Sequence, residues 1–142
     1  MTVSRLRIIV GTGYLGGRVA RLWVARGDRV IGTTRSTERA ESLAEAGVEP
    51  RILDVTTADW PGFFDATGLP DTLFWSVGFD RTADASYHDV QVAALARMLD
   101  AIAGAAEDRV QADGRVVRPR IVFCSSTGVW GDEEGEVVDE TT

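Results

Sequence analysis

The sequence contains no lysine: all fifteen of its basic residues are arginine. Chemistry that depends on a lysine ammonium is therefore excluded within these 142 residues. Cysteine occurs once, at Cys124, so no disulfide framework forms within the chain and a reducing compartment is expected. One histidine and one cysteine supply too few ligands for a transition-metal site, and no metal is expected. No apolar run approaches the ~20 residues of a membrane span, and no charged-then-apolar leader precedes the first apolar segment. These absences lead to the expectation of a cytoplasmic protein without membrane contact. A basic patch is missing too. The net charge is −7, opposite in sign to that of a nucleic-acid binder, so no nucleic-acid partner is expected. Asp132, Glu133, Glu134, Glu136, Asp139 and Glu140 carry −6 of it and leave the preceding chain nearly neutral. That acidic stretch reads as a solvated loop.

What is present is an ordinary globular composition, 44% hydrophobic and 26% charged, in a length suited to one domain. Its most informative stretch is Arg5 to Gly16, RLRIIVGTGYLG. Leu6-Arg7-Ile8-Ile9-Val10 reads as a short buried strand, because β-branched residues pack well on a covered pleated surface. It runs into Gly11-Thr12-Gly13-Tyr14-Leu15-Gly16, the G-x-G-x-x-G spacing, and a helical pattern begins at once. In that spacing Gly11 permits the tight turn, Gly13 lets backbone approach a pyrophosphate, and Gly16 lets the helix lie close to the strand. The helix N-terminus would offer unpaired N–H groups and a positive dipole end to phosphates.

Leu15, Val19, Leu22 and Trp23 recur at helical spacing as the expected inward stripe, and Gly27 is placed as a stop. Val30 to Thr34 forms a second strand, completing a strand–helix–strand unit. Where an NAD-preferring fold carries Asp or Glu, this chain has Thr34-Arg35-Ser36. An arginine fork flanked by hydroxyls suits a 2′-phosphate that a carboxylate would repel, so NADP is favoured, with NAD as the alternative. The bland alternative leaves Arg35 as a solvated loop residue and Ser36 or Thr37 as a helix cap. The second helix runs from Ser36 to Ala46 and stops at Gly47, and Arg51 to Leu53 is a third strand ending at Asp54-Val55. A short helix lies within 57–68, with Trp60, Phe63 and Phe64 turned inward. Asp71 to Val77 is a fourth, continuously hydrophobic strand ending at Gly78. Ser86 to Ala106 is the longest helix, striped by Val90, Ala94, Met98 and Ile102, and Arg120 to Cys124 is a fifth strand. Cys124 is expected to be a small buried hydrophobe. Alternating strands and helices predict an α/β fold, a doubly wound parallel sheet ordered 3-2-1-4-5, because crossovers are right-handed.

Gly11 to Gly16, Asp54-Val55, the strand ending at Val77-Gly78 and the segment SSTGVWGDEEGEVVDETT together resemble an extended or atypical short-chain dehydrogenase/reductase. The branch they look most like is the NAD(P)-dependent epimerase/dehydratase-like proteins. The most specific piece is Ser125 to Gly131, similar to the family's S-S-x-x-V-Y-G, with Trp130 in place of the tyrosine. The resemblance implies a Rossmann fold over 1–142, without the C-terminal substrate-binding part of the relatives. It also implies cofactor-binding roles residue by residue. Gly11, Gly13 and Gly16 match the pyrophosphate turn, with the backbone N–H groups of Tyr14 and Leu15 beside the phosphates. Arg35, between Thr34 and Ser36, falls next to the ribose-binding position. Asp54 and Val55 match the pair bordering adenine, and Val77 and Gly78 match the wall beside the nicotinamide ribose. Ser126 matches the catalytic serine or threonine.

The departure from the family is the missing Tyr-x-x-x-Lys. Tyrosine occurs only at Tyr14 and Tyr87, and no lysine exists to lower its pKa. Two readings follow. One is a protein of the oxidoreductase family that binds a nicotinamide dinucleotide and, in a full-length form, transfers hydride on a sugar-nucleotide-like or small carbonyl substrate. The other is a non-catalytic module that senses or scaffolds through the dinucleotide site. His88, early in a helix beside Asp89, reads as a surface histidine rather than a base. The uncovered fifth-strand edge and the wide apolar stripe of the 86–106 helix lead to the expectation of a homo-oligomer.

Overall fold

The structure, a computed structural model, describes residues 4–107, 113–115 and 118–125. The chain alternates β1 (Leu6–Val10), α1 (Tyr14–Ala25), β2 (Arg29–Thr34), α2 (Thr37–Glu45), β3 (Glu49–Ile52), α3 (Trp60–Thr67) and β4 (Thr72–Trp75). A single π turn over Asp89–Ala93 leads into α4 (Ala94–Glu107), and β5 (Arg120–Phe123) closes the described part. The five strands form one parallel sheet ordered β3-β2-β1-β4-β5, as the alternation predicts. Parallel strands need helical crossovers, and these cover both faces, so the central strands are apolar on both sides.

Side chains alternate across β1. Ile8 and Val10 face one layer with Ile31, Leu73 and Trp75, packed on Trp60 and Phe64 of α3 and on Ala94, Met98, Ile102 and Ala106 of α4. Ile9 faces the other with Val30 and Phe74, packed on Ala20 and on Leu43 of α2. Together these two layers form a core in which Ile8, Ile9, Val10 and Ile31 are fully buried. The inward turn of Trp60 and Phe64 is as expected, and Trp60 also packs on Phe63, edge to face at 5.6 Å.

Four details differ from the sequence expectation, each for a packing reason. The buried face of α1 is Gly16, Gly17 and Ala20, while Leu15 and Leu22 are 45% and 62% exposed. A helix seated this close to a sheet presents its smallest residues, so only Val19 and Trp23 of the expected stripe pack against the core. The third strand starts two residues and ends one residue earlier than expected, at Glu49–Ile52, and includes Pro50, which an edge strand tolerates. Arg29 on β2 grips Glu49 through Nε and Nη2 at 2.7 and 2.9 Å and helps set that register. The 86–106 helix is interrupted at its start by the π turn, although Ala94, Met98 and Ile102 form its buried stripe as expected. Cys124 is exposed rather than buried. It lies just beyond β5, which pairs only with β4 and leaves Val122 and Phe123 41% and 44% exposed among the described residues. Among the described residues, no helix is long and apolar enough to cross a membrane.

Candidate functional site

A cleft of about 860 Å³ opens at the carboxyl ends of the strands, between the turn after β1, the tip of β2 and the segments following β3 and β4. Its floor is set by the first glycine turn. Gly11 has φ +89°, and a Cβ there would lie 2.8 Å from the carbonyl oxygen of Ser76. A Cβ on Gly16 would overlap the carbonyl oxygen of Gly11 and meet Ser76 Oγ at 2.7 Å. These two glycines are demanded by the protein's own packing. Gly13 is different, because a Cβ there would meet nothing within 4 Å. Its bare side borders the cleft, as does that of Gly78, which is equally open.

Every backbone carbonyl of the turn has a partner. Thr33, buried in β2, accepts from the Gly11 N–H on its hydroxyl at 3.0 Å. Its carbonyl accepts from the Thr12 N–H at 3.2 Å and the Thr12 hydroxyl at 2.9 Å. Ser76 Oγ donates to the Gly11 carbonyl at 2.6 Å. Arg39 of α2 donates to the Thr12 carbonyl through Nε at 3.0 Å and Nη2 at 2.7 Å, and Nη2 reaches the Gly13 carbonyl at 3.2 Å. The N–H groups of Gly13, Tyr14 and Leu15 meet no acceptor among the described residues. The first turn of α1 also lacks a side-chain cap, whereas Ser36 caps α2 and Asp59 caps α3. A helix end left this way presents its donors and its positive dipole end to an anion.

The tip of β2 carries the predicted Thr34, Arg35 and Ser36, all of which line the cleft. The Thr34 hydroxyl accepts from the Ser36 N–H at 3.1 Å, and Ser36 Oγ accepts from the Arg39 N–H at 3.2 Å. Arg35 reaches across the cleft to Asp80, with 3.5 Å between Nη2 and Oδ2. Both side chains are about half exposed, so this ion pair is weak and leaves Arg35 able to turn to an anion. The hydroxyl and backbone N–H of Thr82 hold the Asp80 carboxyl below the ordinary range; burial opposes them, and Arg35 adds to the lowering. Asp54, after β3, is likewise held low by the hydroxyl and then the N–H of Thr56, against burial, with Arg35 contributing attraction. Its Oδ1 is the atom engaged, at 2.7 and 2.8 Å.

α4 and its preceding π turn brace the opposite wall. Gln91 donates to the Val77 carbonyl at 2.7 Å, and Arg97 donates to the Thr56 carbonyl at 2.7 Å and the Val55 carbonyl at 3.2 Å. Single π turns of this kind recur beside functional sites, where they redirect one side chain.

The structure thus brings together Gly11, Gly13, Thr34, Arg35, Ser36, Asp54, Val55, Val77 and Gly78 around one cleft. Gly16 lies beneath it as packing. The side chains of Tyr14 and Leu15 do not line it; Tyr14 is 80% exposed with Arg18 stacked 4.4 Å over its ring. Their backbone N–H groups belong to the same uncapped helix end as that of Gly13, which lines the cleft. His88 is exposed and outside the cleft. Ser126 and Trp130 lie outside the described residues, as do the acids from Asp132 to Glu140. Among the described residues, no group of His, Cys, Asp and Glu side chains gathers to hold a metal. Sequence reasoning missed Thr33, Arg39, Ser76, Asp80, Gln91 and Arg97. Only Thr33 carried a signal, as a hydroxyl inside a buried strand that needs a partner.

Residues 8–142 match the model of the NAD dependent epimerase/dehydratase family. No curated protein matches the chain significantly. Among solved structures, the chain is 26% identical to a short-chain dehydrogenase from Streptomyces avermitilis, with a TM-score of 0.68, over 89% of this chain and 50% of that one. It is 26% identical to a functionally unknown conserved protein from Silicibacter pomeroyi, with a TM-score of 0.62, over 98% of this chain and 42% of that one. It shares the fold of the Bordetella bronchiseptica enzyme WbmH, solved with NAD+, at 17% identity and a TM-score of 0.57, over 72% of this chain and 36% of that one. The chain therefore spans half the length of these proteins or less.

Proposed function

Because the chain belongs to the NAD dependent epimerase/dehydratase family, we propose that its cleft holds a nicotinamide dinucleotide and prefers NADP(H) to NAD(H). The observation that carries this reading is the uncapped head of α1. The N–H groups of Gly13, Tyr14 and Leu15 have no acceptor among the described residues, and Gly13 lines a cleft of dinucleotide size. In this reading the pyrophosphate lies on those donors. The adenosine runs toward the tip of β2, bordered by Asp54 and Val55, and the nicotinamide ribose lies against Val77 and Gly78. Arg35, with the hydroxyls of Thr34 and Ser36, receives the 2′-phosphate. The bound nicotinamide would supply hydride chemistry, and this chain's own groups would bind, orient and shield it.

For a full-length form we infer hydride transfer on a sugar-nucleotide-like or small carbonyl substrate, with Ser126 polarising a substrate oxygen. A specific observation favours a second reading for the 142 residues themselves. Tyr14 packs under Arg18 outside the cleft, Tyr87 packs on Phe79 at 5.4 Å, and the sequence has no lysine. Neither tyrosine has the partner that proton exchange during hydride transfer requires. In that second reading the chain is a non-catalytic dinucleotide-binding module. A cytoplasmic location completes either one.

The test is a titration with NADPH and NADH, following energy transfer from tryptophan to the reduced nicotinamide, in the unmodified chain and in Arg35→Ala. Loss of a charge-assisted phosphate contact should weaken NADPH about tenfold and leave NADH nearly unchanged. Equal weakening of both cofactors would discard the role of Arg35. Binding of neither by the unmodified chain would discard the site.

A further inference from the structure

We propose that Arg39 is a positioning residue for dinucleotide binding, which locks the Thr12–Gly13 peptide plane of the glycine turn so that the N–H group of Gly13 faces a bound pyrophosphate, and adds to the hold on the next plane. This inference rests on the cleft being a dinucleotide site. In a trans peptide the N–H points opposite to the carbonyl of the preceding residue. The Thr12 carbonyl and the Gly13 N–H share one plane, and the Gly13 carbonyl and the Tyr14 N–H share the next. Arg39 grips the first carbonyl through two nitrogens, at 3.0 and 2.7 Å, and touches the second at 3.2 Å. Holding the Thr12 oxygen toward α2 directs the Gly13 hydrogen the opposite way, out from the head of α1, while the Gly13 oxygen is shared between Arg39 and the Gly17 N–H of α1 at 3.0 Å.

A lock is needed at the first of these planes: the Gly17 N–H already holds the Gly13 carbonyl at 3.0 Å, whereas among the described residues only Arg39 bonds the Thr12 carbonyl. Gly13 has no Cβ, and the space beside it is open to 4 Å. Glycine also visits conformations that other residues avoid, so an unrestrained Thr12–Gly13 peptide turns over cheaply. Thr33 and Ser76 pin Gly11 and the Thr12 N–H, but neither touches the Thr12 carbonyl. Arg39 is itself well placed: Ser36 caps its N–H at 3.2 Å, and it is half-buried between α1 and α2. Gly17 completes the seat. A Cβ there would stand 2.5 Å from Arg39 Nη2, so the guanidinium would have to move from the position in which it holds the turn. A lysine would hold these carbonyls less firmly, because its three donors sit on one freely rotating ammonium rather than on a rigid planar fork.

The experiment compares four ligands in the unmodified chain, Arg39→Met and Gly17→Ala. NADH, NADPH and ADP-ribose all carry a pyrophosphate; adenosine 2′-monophosphate does not. Gly17→Ala displaces the guanidinium while leaving Arg39 present, and it removes a helix-interior glycine, so it remains informative if Arg39→Met fails to fold. In each folded variant the three pyrophosphate ligands should weaken together, by about tenfold, with the NADPH-to-NADH ratio unchanged. Adenosine 2′-monophosphate, followed by NMR shifts, should bind as before.

Unchanged ADP-ribose binding in a folded variant would overturn the proposal. So would selective loss of NADPH and adenosine 2′-monophosphate, which would make Arg39 a direct 2′-phosphate ligand. Uniform loss of all four ligands would mark general destabilisation and overturn it equally. Failure of the unmodified chain to bind any pyrophosphate ligand would instead defeat the dinucleotide reading, and this inference with it.

Discussion

Two glycine-to-alanine substitutions should move stability in opposite directions, although helix propensity favours both. Replacing a helix-interior glycine by alanine gains up to ~1 kcal/mol when nothing opposes it. Gly104 in α4 is that case, since an added Cβ meets nothing within 4 Å. Gly104→Ala should therefore raise the melting temperature by about 3 °C for a chain of this length. Gly16 gains the same propensity but would drive its Cβ into the carbonyl oxygen of Gly11, to 2.7 Å from Ser76 Oγ and 3.1 Å from Ile9 Cγ2. The first obstacle is backbone, the second is held by its bond to that backbone, and the third belongs to the fully buried core. None yields without α1 lifting from the sheet, and overpacking of this kind costs ~1–3 kcal/mol. Three close obstacles put the cost at the upper end, so against the propensity gain Gly16→Ala should lose ~1–2 kcal/mol, about 3–6 °C in melting temperature. Because the same shift moves the donors of Gly13 and Tyr14, dinucleotide affinity should fall at least ~10-fold. Circular-dichroism melts and cofactor titrations of both variants read these effects. Gly16→Ala melting as high as Gly104→Ala, with binding intact, would refute the claim that close approach fixes this glycine.

Two further predictions concern acid stability and assembly. Burial is the largest single influence on Asp28 and pushes its carboxyl up. The bonds it accepts from Arg7 Nε at 3.0 Å and the Arg5 N–H at 3.2 Å, with the charges of both arginines, together outweigh burial and hold the carboxyl below the ordinary range. Its contribution is therefore full above the unfolded carboxylate value and lost as pH falls through the lowered one. Asp28→Ala should cost ~1–2 kcal/mol near neutrality, and its deficit against the parent should shrink below about pH 4; a deficit constant down to pH 2 would remove the ionic explanation. Sedimentation at concentrations on the order of tens of micromolar should show self-association through the β5 edge or the 86–106 helix, where Val122, Phe123 and Leu99 are exposed. A clean monomer would discard that expectation.

The strand order and the glycine turn were legible in the residues alone because both are local signals. Alternating apolar segments of suitable length give strands and helices, and right-handed crossovers leave few ways to order five parallel strands. The spacing of Gly11, Gly13 and Gly16 marked where a strand turns into a helix, and Thr34-Arg35-Ser36 marked the tip of β2. Tertiary structure decided what depends on distance between elements. Periodicity favoured Leu15 and Leu22 as the inner face of α1, yet close approach to the sheet selected Gly16, Gly17 and Ala20. Nothing in the local pattern could show that Cys124 would lie exposed beyond a strand paired on one side among the described residues. The restraints on the glycine turn come from Thr33, Arg39 and Ser76, which lie 22, 27 and 65 residues from the atoms they hold. A side chain that bonds a distant backbone carbonyl leaves no spacing rule behind, because a carbonyl is present at every residue. The sequence by itself therefore determined the architecture and the place of the cleft. Only the folded chain decided which donors of that cleft remain free.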